Sequence, residues 1–399
     1  MKVKLPKIIP AIKWDKHIPV IIFIFLTLCG ASFFSYRKIS SLKVFIQNLT
    51  DEKDKNIEEL QKIAKELEEL KNQDQLKINN ELQFQIQNIE KSYDKAVSIY
   101  EELLDLKSKT KETKTLDELF SKSLSQLSKR DYEEANRILL ELSSKIKEEE
   151  TKIANSFSIS PNIPAQNTPP NSGYSRQQVQ TNVGTFLVSL IAADLGSTKV
   201  IVDTASESNC SNNCPTIPLA TFVARNGAYA GINGTYFCPT EYPSCSGKSN
   251  SFDLLVMNYK KIYFNSENNV YSNNPVVVFG DQYIRFIEKA SQWGRDTSPN
   301  GVLSNFPLLV FNGEIKFGGD NDPKKGSKGG RSFVANKGND VYIGVVHNAT
   351  VVESARVLKT LGMENAMNLD DGGSTALWFG GYKVGPGRNL SNAILFVKK

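Results

Sequence analysis

The spacing of apolar residues changes along the chain, and each change marks a segment. Residues 18–36, IPVIIFIFLTLCGASFFSY, run without a charge. At 1.5 Å per residue, a helix of that length is about as long as a bilayer core is thick. The run predicts a transmembrane helix. Lys2, Lys4, Lys7, Lys13 and Lys16 precede it, whereas only Arg37, Lys38 and Lys43 follow closely. The positive-inside bias then makes residues 1–17 a cytoplasmic basic tail and places the rest outside: a single-pass plasma-membrane protein with an extracytoplasmic C-terminal domain. A cleaved signal peptide is the alternative, but the basic region is long and residues 32–35 offer no clear small-residue cleavage site.

From residue 42 to 106 apolar residues recur at three- and four-residue steps among Lys, Glu and Gln. Leu60, Ile63, Leu67 and Leu70 form one seam, and Ile86, Ile89, Tyr93, Ala96, Tyr100 and Leu103 another. This predicts an α-helical coiled-coil stalk, a route to a homo-oligomer, with a slip at Asp74 and Lys77. Residues 116–127 and 132–153 read as an amphipathic helical hairpin that completes the stalk over 40–154. Residues 155–182, with Pro161, Pro164, Pro169 and Pro170 among Asn, Ser and Gln, predict an extended, poorly ordered linker.

Beyond the linker, short runs rich in Val, Ile, Phe and Tyr alternate with Gly and Asn turns. Strands are expected at 185–191, 199–203, 254–257, 261–264, 275–279, 308–311 and 341–346. A single clear helix covers 351–361: Thr350 and Glu353 make a capping box, and Gly362 follows as a cap. Residues 183–399 are thus a mainly β, mixed α+β domain of ordinary size.

Charge and cysteines refine this picture. The formal net charge is +5, yet residues 1–50 hold eight Lys or Arg against one Asp, so the remainder is close to neutral and no nucleic-acid partner is indicated. Cys210, Cys214, Cys238 and Cys245 cluster in the C-terminal half, apart from Cys29. Two disulfides or a tetrahedral zinc site could use them. An oxidising location favours disulfides and no metal, with nearest neighbours paired, Cys210 to Cys214 and Cys238 to Cys245.

Four polar, Gly-containing segments could hold a ligand: residues 231–237 (GINGTYF), 330–332 (GRS), 368–375 (NLDDGGST) and 385–389 (GPGRN). Glycines let backbone N–H groups approach an anion, and Arg331 and Arg388 offer planar forks for phosphate. Plainer readings stand beside these. Asp-Asp-Gly-Gly is commonly a solvated turn, Arg331 could pair on the surface, and Glu353 is accounted for by its cap. His347, at the end of an apolar run, reads more simply as a packed imidazole than a catalytic one. No Gly-x-Ser-x-Gly elbow, His-Glu-x-x-His helix or P-loop is present.

These four segments, in this order, with FPLLVFNGE at 306–314 and the capped helix, resemble the phosphodiester glycosidase (uncovering-enzyme) family over roughly 183–399. The family's Asn-Gly element falls on Asn233, Gly234, Tyr236 and Phe237, its Arg-Ser element on Arg331 and Ser332, its Asn-Leu-Asp-Gly-Gly-Gly-Ser element on 368–374, and its late Arg on Arg388. Asp371 stands where the family usually has Gly, which narrows the site or alters the turn. The resemblance implies a hydrolase that cleaves the bond between a sugar C1 and a phosphodiester oxygen in an envelope or surface glycan, without a cofactor. It implies Asp370, Arg331 and Arg388 as catalytic residues. Asn233, Gly234, Asn368, Asp371, Gly372, Gly373, Ser374 and Asn389 would bind substrate. Another glycosidase or transferase on the same fold, and a non-catalytic glycan-binding scaffold, are the alternatives.

Overall fold

The computed structural model describes residues 18–71 and 74–399, with side chains placed from 23 to 71 and from 76 onward. The tail expected at 1–17 lies outside the described residues. Helix α1 spans Ile18–Lys71 and α2 spans Asp74–Lys107. Among the described residues no helix is long and apolar enough to cross a membrane. This overturns the transmembrane helix expected over 18–36, the membrane segment in the expected fold class, and the single-pass plasma-membrane localisation. The uncharged run is the start of a much longer helix, which turns charged at Arg37 and Lys38 and stays rich in Lys and Glu to Lys71.

The chain divides into two units, residues 1–87 and 88–399. In the first, Leu60, Ile63, Leu67 and Leu70 form an exposed stripe on α1. In the second, the end of α2 packs with α3 (Lys114–Ser128) and α4 (Tyr132–Ser156). The hairpin expected from sequence is there, with Asp131 capping α4 by accepting from the Glu134 amide. Its apolar faces do not end in a stalk. Ala96, Ile99, Leu103 and Leu106 of α2 close with Leu116, Leu127, Leu139 and Leu142 into one three-helix core. The later part of the second seam, Ala96 and Leu103, therefore belongs to a bundle that α2 completes, whereas Ile86 and Tyr93 stay exposed.

After α4 the chain enters three antiparallel sheets. The seven-stranded sheet runs in the order Gly173–Thr181, Gly184–Asp194, Asp340–Ala349, Gly329–Lys337, Asn365–Asn368, Leu308–Phe311 and Glu314–Ile315. Its first strand occupies the second half of the segment expected as linker: Val179 is buried and Gln177 donates to the Gln166 and Thr168 carbonyls. A five-stranded sheet holds Tyr382–Val384, Leu377–Phe379, Ala230–Asn233, Asn392–Lys398 and Thr198–Thr204. A third sheet is built from Val256–Met257, Tyr263–Phe264, Val276–Phe279, Ile284–Ile287 and Gly301–Ser304.

One core joins the inner faces of all three sheets, through Ile191, Ile343, Ile232, Ile394, Val277 and Leu303. The outer face of the large sheet is covered by the helix Val351–Thr360, whose Val351, Ala355 and Leu358 are buried. Its capping box is formed: Thr350 Oγ1 accepts from the Glu353 amide, and the Glu353 carboxylate from the Thr350 amide. Cys210 is bonded to Cys214 and Cys238 to Cys245, the pairing expected. These bridges tie down the long loops on either side of the Ala230–Asn233 strand.

Candidate active site

The site forms where the large sheet and the second sheet are stitched end to end. Strand Asn365–Asn368 runs antiparallel to Gly329–Lys337, so its exit lies beside Arg331 and Ser332 at the other strand's entry. Two further backbone bonds continue the seam: the Leu369 amide donates to the Ser332 carbonyl and the Asp370 amide to Gly234, each at 2.9 Å. The approach at Gly234 is close. A Cβ there would stand 1.9 Å from Asn392 Oδ1, the atom that accepts from the Thr235 amide. Three segments distant in sequence are thus brought together by main-chain bonds.

Asn233 and Asn368 are fully buried behind the seam. Asn233 donates to the Asp370 carbonyl at 2.6 Å and accepts from Ser332 Oγ and the Ala376 amide. Asn368 donates to Tyr236 Oη, the Leu369 carbonyl and Asp371 Oδ2. Both amides hold the acidic turn in place and do not reach the cleft.

Asp371 is the centre of a closed network. Arg331 Nη1 donates to its Oδ2 at 3.1 Å, Asn368 to the same oxygen at 2.9 Å, and the Ser332 amide to its Oδ1 at 2.9 Å. Arg331 is 5% exposed and spends its other donors on the Ala349, Lys324 and Ser327 carbonyls. Its fork therefore faces the protein. Burial raises the Asp371 carboxyl, while Arg331, Asn368 and the Ser332 amide oppose that by stabilising its charge.

Asp370 has fewer partners. Its Oδ1 accepts from the Asp371 amide at 2.9 Å. Burial, with the adjacent Asp371 charge, pushes its carboxyl up to about 7, against the pull of Ser374, Arg388 and that amide. Burial thus raises both neighbouring carboxyls. Tyr236, its ring tilted against Phe306 with centroids 5.1 Å apart, lines the cleft, and its phenol is held neutral by burial and the two acids.

Arg388 differs from Arg331. No carboxylate lies within ion-pair distance of it among the described residues. Its guanidinium rests on the Tyr242 ring at 5.4 Å and crosses Gly373, where a Cβ would come within 2.4 Å of Nη2. That contact explains the glycine. Gly372 takes φ +61°, and among the described residues neither its amide nor that of Gly373 has a partner within the protein. Two free amides and a free guanidinium facing one space suit an anion.

The cleft in front of these groups has a volume of about 850 Å³, ample for a sugar phosphodiester. Asp370, Asp371, Gly372, Gly373, Ser374, Arg331 and Arg388 line it. Asn233, Gly234 and Asn368 lie behind it, and Asn389 is exposed and outside it. Sequence reasoning missed Tyr242, Lys324, Lys325 and Lys328, although the basic run before Arg331 was a usable signal. It also missed the wall opposite, Glu102, Asp105, Lys109 and Glu150 of the helical bundle. His347 is no part of the site. Its Nε2 meets Ser189 Oγ at 2.9 Å and burial lowers it to about 4, a packed neutral imidazole.

A buried pair of acids beside two amides and a guanidinium makes this cleft a candidate site for an anionic ligand. Residues 226–397 match the family described as phosphodiester glycosidase. That segment, somewhat under half of the chain, carries a phosphodiester glycosidase-family domain. No curated protein matches it. Among solved structures, it is similar to a hypothetical protein from Synechocystis (TM-score 0.40, 15% identity), covering 57% of this chain and 62% of that one. It is also similar to the catalytic domain of zebrafish N-acetylglucosamine-1-phosphodiester alpha-N-acetylglucosaminidase, auto-inhibited by its pro-peptide (TM-score 0.45, 16% identity), covering 59% and 87%. Both likenesses are too distant to bear on individual residues.

Proposed function

We propose that the protein hydrolyses the bond between a sugar C1 and a phosphodiester oxygen, with Asp370 acting at the anomeric carbon and Arg388 and the Gly372–Gly373 amides holding the phosphate. The departing group is a phosphate monoester, a weak base that needs little help from an acid. The demand falls on activating water and on stabilising a cationic C1. A carboxyl near 7 suits a general base at neutral pH, since an appreciable fraction is ionised and still takes a proton well. Asp371, compensated by three donors, supplies a fixed negative charge beside the developing oxocarbenium ion. Arg331 acts by holding Asp371 and the loop at 324–327.

The observation that carries this reading is the pairing of a buried, weakly compensated Asp370 with an arginine that has no acid partner, in one cleft. The two disulfides fit folding in an oxidising compartment, where the protein would meet a surface or envelope sugar phosphodiester. The test is a screen of the full chain against methyl phosphodiesters of several sugar 1-phosphates. Release of free sugar and methyl phosphate by the wild type, lost in Asp370→Asn, is expected. Equal turnover of neutral methyl glycosides would defeat the phosphodiester assignment.

A further inference from the structure

The family match begins at residue 226, yet the cleft has a wall that comes from well before it. Helix α2 presents Glu101 and Asp105, one turn apart, to the loop closed by the Cys238–Cys245 bridge. Glu101 Oε1 accepts from the Ser244 amide at 3.1 Å, and Glu101 is 8% exposed. Asp105 Oδ1 accepts from the Tyr242 phenol. The Tyr242 ring in turn carries the Arg388 guanidinium at 5.4 Å and the Lys324 ammonium at 4.7 Å. Lys324 reaches back to Glu101 at 3.9 Å. A chain of contacts therefore runs from α2, through one tyrosine, to the cation that faces the phosphate.

We propose that Asp105 of the helical bundle is a positioning residue for phosphodiester recognition: it fixes the Tyr242 ring on which Arg388 rests, so the bundle is part of the active site. Arg388 has no ion pair of its own, and its orientation is set by what it lies on. Gly373 bounds it on one side. Tyr242 bounds it on another. A phenol has only its ring torsions and its hydroxyl contact to hold it, and that contact is Asp105. Without it the ring can swing toward the 850 Å³ cleft, and the guanidinium loses the face that aims it. The bundle's own core does not require Asp105, which lies on the face turned from Leu103 and Leu106 toward the cleft.

This inference rests on the phosphate role given to Arg388, so its test separates the two. Dimethyl phosphate, a minimal phosphodiester anion, is titrated onto the full chain and its ³¹P line broadening followed. Asp105→Leu is expected to weaken binding about tenfold, the size of one hydrogen bond to a charged group. Asp105→Asn, which keeps a carbonyl acceptor for the phenol, is expected to stay within about twofold of wild type. Tyr242→Phe should match Asp105→Leu, and the double variant should lose no more than either single one. A merely structural role would instead weaken Asp105→Leu and Asp105→Asn alike, lower their thermal midpoints together, and add to Tyr242→Phe. Loss of binding in Arg388→Gln with wild-type binding in both Asp105→Leu and Tyr242→Phe would overturn the inference alone. No effect in Arg388→Gln would remove the phosphate role and this inference with it. Should Asp105→Leu fail to fold, Tyr242→Phe decides the matter, since it removes the same contact from the other end.

Discussion

The two arginines of the site stand on either side of the acid pair and are used in opposite ways. Arg331 is 5% exposed and bonded to four oxygens of the protein, one of them on Asp371. Arg388 has no acid partner, lies over a tyrosine, and faces the cleft beside two free amides. The acids divide the same way. Asp371 receives three hydrogen bonds, whereas Asp370 is raised to about 7 by burial and its neighbour's charge. On the proposed reading, a locked half supplies geometry and fixed charge, and an open half does the chemistry. Residue type alone could not have made that division, since each half holds one Asp and one Arg.

The largest effect should come from the open half. Asp370→Asn removes the group that must take a proton, and kcat should fall about 10²–10⁴-fold with little change in KM. In the wild type, a base that titrates at about 7 makes kcat/KM rise with pH through that value and level off above it. A profile that falls with rising pH over the same range would make Asp370 an acid and reverse its role. Near-normal turnover in a folded Asp370→Asn chain would move the chemistry elsewhere.

Breaking the locked half should cost stability before anything else. Asp371→Gly, which restores the residue usual in the family, leaves the buried Arg331 charge, the Asn368 amide and the Ser332 amide without their shared acceptor. Removing one partner of a buried pair costs about 3–5 kcal/mol, measurable as a shift of the urea midpoint. From sequence, Asp371 is expected to narrow the site or alter the turn, and Asp371→Gly to be tolerated. In the structure it organises the site, so the two readings predict opposite outcomes for one substitution.

The open half should show the reverse sign. The folded chain binds a proton at Asp370 up to about pH 7, whereas the unfolded chain releases it near the ordinary carboxyl value of 3.8. Stability therefore falls as pH rises between those values, and the cost persists at higher pH. Asp370→Asn removes that cost. The variant should be more stable than wild type by about 2–4 kcal/mol at pH 8 and by clearly less at pH 5, in urea titrations at both pH values. A variant less stable at pH 8 would show that Asp370's charge is compensated.

Much of the fold was legible because periodicity reports burial. The strands expected at 185–191, 199–203 and 308–311 are apolar runs and are observed as Gly184–Asp194, Thr198–Thr204 and Leu308–Phe311. Three of the strands that went unseen carry the site. Ala230–Asn233, Gly329–Lys337 and Asn365–Asn368 hold Gly, Arg and Asn, residues that speak against a strand locally and are overridden by long-range pairing. Asp370, Arg331 and Arg388 could be found from sequence, but the confinement of Asn233 and Asn368 behind the cleft could not. It depends on bonds from Asn233 to Asp370, Ser332 and Ala376, which join segments 99 to 143 residues apart. The helical wall was illegible for another reason. Asp105 and Glu101 lie on a helix dense in charges, where nothing local distinguishes a docked acid from a solvated one.

The smallest effect expected is also the one that best separates the two arginines. Arg388→Lys keeps a positive charge but loses the planar fork and its stacking on Tyr242, so phosphodiester KM should rise about tenfold while kcat changes little. A substrate with a neutral aryl leaving group should hardly notice, because it places no anion in the cradle. Gly373→Ala should give the same signature by another route, since its methyl would stand 2.4 Å from Arg388 Nη2 and force the guanidinium aside. Arg331→Lys should not resemble either. It leaves carbonyls and Asp371 short of donors, so both substrates should suffer together and the folded state should weaken. Measuring kcat and KM for the two substrates across these three variants sorts binding from positioning. If Arg388→Lys impaired the aryl substrate as much as the phosphodiester, the open half would not be a phosphate cradle, and the contrast between the two halves of the site would fail at that point.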